Sequence, residues 1–350
     1  MFARRKSMYI LVRIWSQIIR MGFGTVLALC LILILISALI IQQIEPETFP
    51  TYFEAIWWVM TTVVTVGYGD VSPQSSLGKA FTMIFLYIFG IGLVGLLIGK
   101  TIDSLSTYQR LKEAGKLKYS GKNHYILTGN ITKVKNTIKE IKEVQKDAAF
   151  VFIGSEERSP IQEENVHYVQ GDPSDEETLL KANILQSKNV CIFSDDHVVD
   201  SVFADGKTLL IASSVESLAK DHQTEIYSIV EIMKENHISK FKYANVDEFI
   251  LSNEAVSRLV AQASIHHGSS ELFRQLTSKK HGDNIYEIAA QPQWHTYKDA
   301  FLDLLDHGAT LIADGNQLDI NRRLHDPIPV HAKLFIVCDE ETYNKLSHLP

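Results

Sequence analysis

The chain has 350 residues, of which 46% are hydrophobic, and its formal net charge is −7. These averages hide two unlike parts, because nearly all the long apolar runs fall in the first hundred residues. The pattern indicates a membrane protein with a large soluble part, and we expect lipid as a partner but no nucleic acid. The three cysteines stand apart without ligand-like spacing, which argues against disulfides and a cysteine metal site.

Two uncharged runs are long enough to cross a membrane as helices. One begins at Phe23 and the other at Ala80, and each continues for about twenty residues. At about 1.5 Å per residue, such a helix spans a hydrocarbon core of about 30 Å. We therefore predict spans at about 23–43 and about 79–102, within a membrane domain of residues 1–105.

Basic residues flank the two spans on one side only. They precede the first span and follow the second, whereas the loop between the spans is mostly acidic. Because basic flanks stay in the cytoplasm, this pattern predicts a multi-pass protein of the plasma membrane with both chain ends cytoplasmic. The residues concerned are Arg4, Arg5, Lys6, Arg13 and Arg20 before the first span, and Lys100, Arg110, Lys112, Lys116 and Lys118 after the second.

The loop between the spans carries an amphipathic segment, Tyr52 to Val63, that is too short to cross a membrane. It leads into a six-residue segment made of Thr65, Val66, Gly67, Tyr68, Gly69 and Asp70. A row of backbone carbonyls can replace the hydration shell of an ion, and glycine permits the positive φ values that turn successive carbonyls toward one axis. We therefore predict a pore helix and ion filter over 51–70. A glycine-rich turn before a helix is the simpler alternative.

Preceded by Trp57 and Trp58, this hexapeptide resembles the pore helix and selectivity filter of potassium channels. The resemblance implies that K⁺ binds at Thr65, Val66, Gly67 and Tyr68, and that four copies of the chain surround one axis. It also implies that Trp57, Trp58 and Tyr68 support the filter, with Asp70 close to the Trp57 indole. The alternative for the two tryptophans is an aromatic belt at the membrane surface.

The second span contains several glycines. The resemblance places a gating hinge at Gly90, whereas close helix packing is the interpretation we favour for Gly92, Gly95 and Gly99. Asp103 lies about one turn below the span, where a ring of acids could concentrate cations at the inner mouth. A solvated charge at a helix end explains Asp103 equally well.

Residues 106–122 mix lysines, glycines and polar residues without an apolar period. This composition predicts a flexible linker that serves as a solvated spacer, as a tether that pulls on the inner helix, or as both.

From residue 123 onward, short β-branched runs alternate with helix-like stretches, which predicts a doubly wound parallel sheet. The segment Gly171, Asp172, Pro173, followed by Leu179 to Ile184, resembles the RCK domain (regulator of potassium conductance, similar to TrkA-N and TrkA-C). The resemblance divides the remainder into an N-lobe (123–250), a crossover helix (251–270) and a C-lobe (271–350).

The predicted fold class is thus an α-helical membrane pore, with two transmembrane helices and a pore helix, fused to a cytosolic Rossmann-like α/β domain and a small α+β C-terminal lobe. The whole chain resembles prokaryotic two-span potassium channels of the calcium-gated MthK type. The function implied is a potassium-selective channel, not an enzyme, that opens when a ligand binds its cytosolic ring. The alternatives are a membrane-anchored nucleotide-dependent oxidoreductase and a non-conducting sensor.

An adenine nucleotide is one candidate effector, with Gly129, Asn130 and Asp172 as candidate ligands. The turn after the first strand keeps only one of the three glycines of a dinucleotide fingerprint. Gly154 and Ser155 stand where an acid would bind a ribose. Tight NAD binding is therefore not expected, and AMP or ADP remain as candidates.

Calcium is the other candidate effector. The resemblance implies calcium-binding carboxylates after the fourth strand and along the fifth, where this chain has Ser194 with Asp195, then Glu231, then Met233. Asp195 and Glu231 are the candidate ligands, although two carboxylates make a poor cage for a hard cation. The alternative is that the acids near Asp195 cap a helix.

In the C-lobe, Asn321, Arg322 and Arg323 could pair with the phosphates of a cyclic dinucleotide, or form a solvated turn. The amphipathic stripe of the crossover helix fits either a dimer contact or a core. A complete ring in this family needs additional RCK domains, giving an octameric cytosolic ring on a homotetrameric pore.

Overall fold

The computed structural model describes residues 21–195, 200–278 and 282–347. The five basic residues that precede the first predicted span lie outside the described residues. The chain divides into two compact units, one ending at Arg110 and the other beginning at Leu111.

The membrane unit contains two helices that are long and apolar enough to cross a membrane. Between them lies a shorter helix that starts at a capping box, in which Thr51 and Glu54 bond each other's backbone N–H groups. The second long helix passes through a π-helical stretch, in which each N–H bonds five residues back. The elements are α1 (Phe23–Ile44), α2 (Tyr52–Val63), α3 (Ser76–Phe81), the π-helical stretch (Thr82–Gly90) and α4 (Ile91–Glu113).

Helix α1 buries one narrow stripe and exposes the rest of its apolar surface. That stripe packs on α2 in a small core, whereas the exposed leucines and isoleucines are suited to lipid. The core consists of Ala38, Ile41, Phe49, Ala55, Trp58, Val59, Val63 and Leu86.

Residues 114–123, which we call the strap, do not form the predicted flexible tether. Helix α4 continues to Glu113, and the strap is then held along the second unit by backbone hydrogen bonds. Gly115 O accepts from Gln170 N (3.0 Å) and from Lys181 Nζ (2.7 Å). Tyr119 N donates to Lys181 O at 2.9 Å. The strap lacks an apolar period because its attachment relies mainly on main-chain atoms.

The second unit begins with the predicted doubly wound domain. Its six strands are all parallel, in the order β3-β2-β1-β4-β5-β6, and the first strand is fully buried because helices cover both faces. Its elements are β1 (His124–Thr128), α5 (Ile131–Val144), β2 (Phe150–Gly154), β3 (Val166–Gln170), α6 (Glu176–Lys181), β4 (Ser187–Ile192), α7 (Ser201–Asp221), β5 (Tyr227–Ile232), α8 (Ile238–Tyr243) and β6 (Glu248–Leu251).

Two helices then lead to a small α+β lobe with a three-stranded antiparallel sheet, ordered β7-β9-β8, and a core of its own. The predicted crossover helix has no buried residue in the single chain, so the core-helix alternative does not hold there. The elements are α9 (Ser252–Ile265), α10 (Ser269–Thr277), β7 (Asn284–Ala289), α11 (Tyr297–Asp306), β8 (Thr310–Asp314), β9 (Lys333–Cys338) and α12 (Glu340–Ser347).

Candidate ion pathway and regulatory sites

The six-residue segment after α2 has an alternating backbone. Thr65, Gly67 and Gly69 have φ values of 64°, 53° and 74°, whereas Val66 and Tyr68 between them do not have positive φ. Alternation between left-handed and ordinary conformations turns successive carbonyls toward the same side of the chain. The sequence predicted this role for the two glycines but not for Thr65, because a positive φ is uncommon outside glycine.

The end of α2 fixes the start of this segment. Val66 N (2.9 Å) and Gly67 N (3.1 Å) both donate to Thr61 O, the carbonyl of a residue whose own hydroxyl donates to Trp58 O at 3.0 Å. Carbonyls at the carboxyl end of a helix lack helical partners, so they are available to hold the chain that follows.

Two aromatic rings and a carboxylate hold the outer half of the segment. The Trp57 and Tyr68 rings stack with centroids 5.7 Å apart and planes 2° from parallel. Trp57 Nε1 donates to Asp70 Oδ2 at 3.2 Å, and the Asp70 carboxylate also accepts from Val71 N at 3.0 Å. Trp58 packs instead in the core against Phe49, at a ring distance of 5.2 Å. The structure thus brings Trp57, Tyr68 and Asp70 together, and the role of Trp58 differs from theirs.

A second carboxylate, which the sequence did not single out, braces the loop beyond the filter. Glu45 is buried and accepts from Gln74 N (2.8 Å), Ser75 N (2.8 Å) and Ser75 Oγ (2.5 Å). Burial alone would raise the pKa of Glu45, but these hydrogen bonds hold it below its ordinary value. A Cβ added to Gly78 would lie 2.2 Å from Glu45 Oε1, so a glycine is needed there.

The predicted hinge residue, Gly90, is a close-packing position. It ends the π-helical stretch, and a Cβ there would lie 2.8 Å from Val63 Cγ2 at the end of α2. Gly92, Gly95 and Gly99, whose sequence pattern favours helix packing, have no neighbour within 4 Å of such a Cβ inside the single chain. Asp103 is exposed on α4.

A cavity of about 170 Å³ opens at the carboxyl ends of the central strands, where doubly wound sheets bind ligands. Its lining includes Gly129, Asp172, Asp195 and Lys207. Gly129 has a φ of 101°, and a Cβ there would lie 2.0 Å from the Phe193 carbonyl oxygen, so only glycine fits this turn.

Asp172 in this cavity is already bonded to the protein, whereas its lysine is only loosely paired. Asp172 accepts from Ser174 N (2.9 Å) and Ser174 Oγ (2.7 Å), which lowers its pKa. Lys207 Nζ lies 3.5 Å from Asp195 Oδ2, with both side chains partly exposed. Asn130 lies next to the cavity, at the N-cap of α5, where its side chain accepts from Lys133 N.

Glu231, a candidate calcium ligand, is surrounded by hydrogen-bond donors. Its carboxylate is buried and lies 2.9 Å and 3.2 Å from Lys133 Nζ, and it also accepts from Ser194 N at 2.9 Å. Among the described residues, no three histidine, cysteine or acidic side chains form a group that could hold a metal. A carboxylate already paired with a lysine does not fit the oxygen-rich shell that calcium requires.

Asp205, which the sequence did not single out, organises the turn after β5. This buried acid accepts from Met233 N (2.7 Å), Lys234 N (3.2 Å) and His237 Nδ1 (2.6 Å). It lies in the interior of α7, so its apolar surroundings in the sequence gave no signal for this role.

The buried His124 and the half-buried His167 hold the strap against the sheet. The Tyr119 ring packs between His124 (4.5 Å) and His167 (5.2 Å), and His167 Nε2 bonds Leu117 O at 3.0 Å. Burial lowers the pKa of both histidines, so both rings are neutral near pH 7. Lys112 and Lys181 add to the lowering at His167 by charge repulsion.

In the C-lobe, Asn321 and Arg322 are exposed on a short 3₁₀ turn, whereas Arg323 is half-buried. Arg323 Nε bonds Asp319 Oδ1 at 3.0 Å, and its guanidinium lies over the Tyr297 ring at 5.2 Å. Arg323 is therefore already paired within the lobe, whereas Asn321 and Arg322 face solvent.

Both units resemble parts of known potassium channels. An ion-channel family model matches residues 29–107, and a model described as the RCK domain of calcium-activated, slowpoke-like potassium channels matches residues 120–230. The Bacillus subtilis protein YugO is 30% identical over 85% of this chain and 88% of its own length. The calcium-gated potassium channel TvoK of Thermoplasma volcanium is 31% identical over 71% of this chain and 70% of its own.

Among solved structures, the human SLO3 gating ring superimposes with a TM-score of 0.50 and 16% sequence identity, over 64% of this chain and 46% of that one. That likeness concerns the fold alone. The relatives are channels, so the oxidoreductase alternative is set aside. The chain belongs to the family of potassium channels that join a two-span ion-channel region to a ligand-responsive RCK domain.

Proposed function

We propose that potassium passes along the carbonyl oxygens of residues 65–68, with the Thr65 hydroxyl below them. The single observation that carries this proposal is the alternating positive φ at Thr65, Gly67 and Gly69. Such a row of oxygens can replace the hydration shell of K⁺ without adding fixed charge.

We further propose a homotetramer in the plasma membrane, with both chain ends in the cytoplasm. One chain contributes a single filter strand, which cannot enclose a pore. Val66 and Tyr68 are 53% and 66% exposed in the single chain, which supports their being covered by neighbouring subunits. An octameric cytosolic ring would then need four additional RCK domains, to which the uncovered stripe of α9 is suited.

Gating needs only weak ligand binding at each domain. Moving an equilibrium from 1:99 to 99:1 requires about 5.5 kcal/mol, which is less than about 1 kcal/mol for each of eight domains. An adenine nucleotide in the cavity near Gly129 fits this requirement better than calcium, because Lys207 supplies a cation there for a phosphate whereas Glu231 is already paired. In this proposal Asp103 concentrates cations at the inner mouth of the pore. Gly90 is the hinge about which the second span bends.

Ion flux into liposomes tests the pore. Gly67 and Gly315 make a matched pair, because both have a φ of 53° and both face open space inside the single chain. We expect Gly67→Asp to abolish potassium flux and Gly315→Asp to retain it. Equal sodium and potassium flux in the wild type, or no flux with any effector, would refute the proposal.

Thermal unfolding of the full chain in detergent tests the effector. We expect ADP or AMP to raise the melting temperature of the wild type and to lose this effect in Lys207→Gln. Lys220→Gln is the control, because it removes an exposed lysine from the same helix, outside the cavity lining. A nucleotide effect that survives Lys207→Gln would place the ligand elsewhere.

A further inference from the structure

Three neighbouring strands of the sheet end close to Glu231. Glu231 lies near the end of β5, Ser194 follows β4, and Lys133 lies in the first turn of the helix that follows β1. These strands are adjacent in the order β1-β4-β5, so their following loops meet at one edge. Residues distant in the chain are thereby brought to one carboxylate.

The Glu231 carboxylate is 5% exposed and has a charged partner on both oxygens. Lys133 Nζ donates to Oε1 at 2.9 Å and to Oε2 at 3.2 Å, and Ser194 N donates to Oε2 at 2.9 Å. A buried carboxylate without a partner would be strongly disfavoured, and Lys133 supplies the opposite charge at this position.

The lysine is held in place at its backbone end. Lys133 N donates to the side chain of Asn130, the residue that caps helix α5, at 2.9 Å. Its side chain then reaches across β4 to β5, while remaining 33% exposed along its length. The backbone of Lys133 is thus fixed at the start of the helix, and its ammonium reaches Glu231 without any ligand in the structure.

We propose that Lys133 is a built-in cation at this site, holding the position and charge that a divalent ion would otherwise bring to Glu231. Calcium is therefore not a ligand of Glu231 in this chain. One further oxygen is available if the ammonium is removed, because Ser194 Oγ is buried and has no hydrogen-bond partner among the described residues. For gating, and resting on the proposed function, the consequence is that the effector acts elsewhere in the lobe.

The test is thermal unfolding of the purified full-length protein in detergent, with and without millimolar calcium. We expect the wild type and Glu231→Gln to show the same calcium-induced shift, since calcium does not use Glu231. We expect Lys133→Ala to unfold at a lower temperature and to gain a calcium-induced shift. This gain should disappear in the double variant Lys133→Ala/Glu231→Gln, and Lys133→Arg should behave like the wild type.

Two results would overturn the proposal. One is a calcium shift in the wild type that Glu231→Gln removes, which would mean that calcium binds Glu231 beside the lysine. The other is a Lys133→Ala protein that folds but shows no calcium-induced rise in melting temperature, which would mean that the space left by the lysine does not bind a cation. If Lys133→Ala fails to fold, the comparison of wild type with Glu231→Gln still decides the first point. None of these measurements depends on ion conduction or nucleotide binding, so they stand apart from the tests of the proposed function.

Discussion

We expect Glu45 to support the loop beyond residues 65–70, which we call the outer mouth. The substitution Glu45→Gln removes its negative charge and keeps the size of the side chain. The carboxylate receives hydrogen bonds from Gln74 N, Ser75 N and Ser75 Oγ. These donors lie just beyond the filter and at the start of the helix that carries the second span. Replacing one carboxylate oxygen with an amide NH₂ places an N–H group opposite the N–H or O–H group that the oxygen accepted from. It also removes the negative charge that strengthens the remaining hydrogen bonds.

The magnitude follows from those contacts. A buried donor left without a partner costs about 1–3 kcal/mol, and hydrogen bonds to a charged group are roughly twice as strong as neutral ones. Gln74 is exposed and Ser75 is half-buried, so the cost lies near the lower end of this range. Losing one bond and weakening two others should destabilise the outer loop by about 1.5 kcal/mol, or about one power of ten in its opening equilibrium.

The assay is a planar bilayer recording of potassium current, together with thermal unfolding in detergent. We expect Glu45→Gln to lose current faster during sustained flow and to melt at a lower temperature. Glu47→Gln is the matched control, because Glu47 lies in the same loop but is exposed. If the two variants behave alike in both measurements, Glu45 does not support the outer mouth.

The pH dependence of Glu45 gives an independent check. Because the hydrogen bonds lower the folded-state pKa, the stability they contribute is present above the ordinary pKa of a glutamate and is lost as the pH falls through the folded value. Acidifying the outer solution should therefore shorten wild-type currents and change Glu45→Gln much less. If acid shortens the currents of the wild type and of Glu45→Gln equally, a group other than Glu45 causes the pH dependence.

Three further changes test other parts of the site. Asp70→Asn weakens the bond from Trp57 Nε1, and we expect reduced potassium selectivity in reversal-potential measurements, with a protein that still folds. Gly90→Ala puts a methyl group against Val63, and we expect a lower melting temperature; an unchanged protein would show that the contact is not tight. Since burial lowers the pKa of His167, the second unit should lose stability as the pH falls below the ordinary histidine range, and His167→Gln should reduce this loss.

The backbone of the two glycines after α2 could be predicted from sequence because its conformation is local. Gly67 and Gly69 are needed for their backbone conformations, and those conformations depend on neighbouring residues in the chain. The strap could not be predicted in the same way. Gly115 O and Tyr119 N bond other parts of the chain through main-chain atoms, which every residue possesses, so no residue pattern marks the attachment.

Which effector the chain can bind depends on contacts between residues that lie far apart in the sequence, and these could not be predicted. Lys133 and Glu231 are 98 residues apart, and only the order of the strands shows that they meet. A lysine near a helix start is ordinarily a solvated charge, whereas here it neutralises the acid expected to bind calcium. Since Glu231 is neutralised before any ligand arrives, calcium binding there would have to break an existing pair, and little free energy would remain to shift a channel equilibrium. Under the proposed function, the free energy for opening comes from a site whose groups gain a partner on ligand binding. The Lys207 side chain is half exposed, and its 3.5 Å contact with Asp195 is a loose pair, so its ammonium can gain a phosphate as a closer partner.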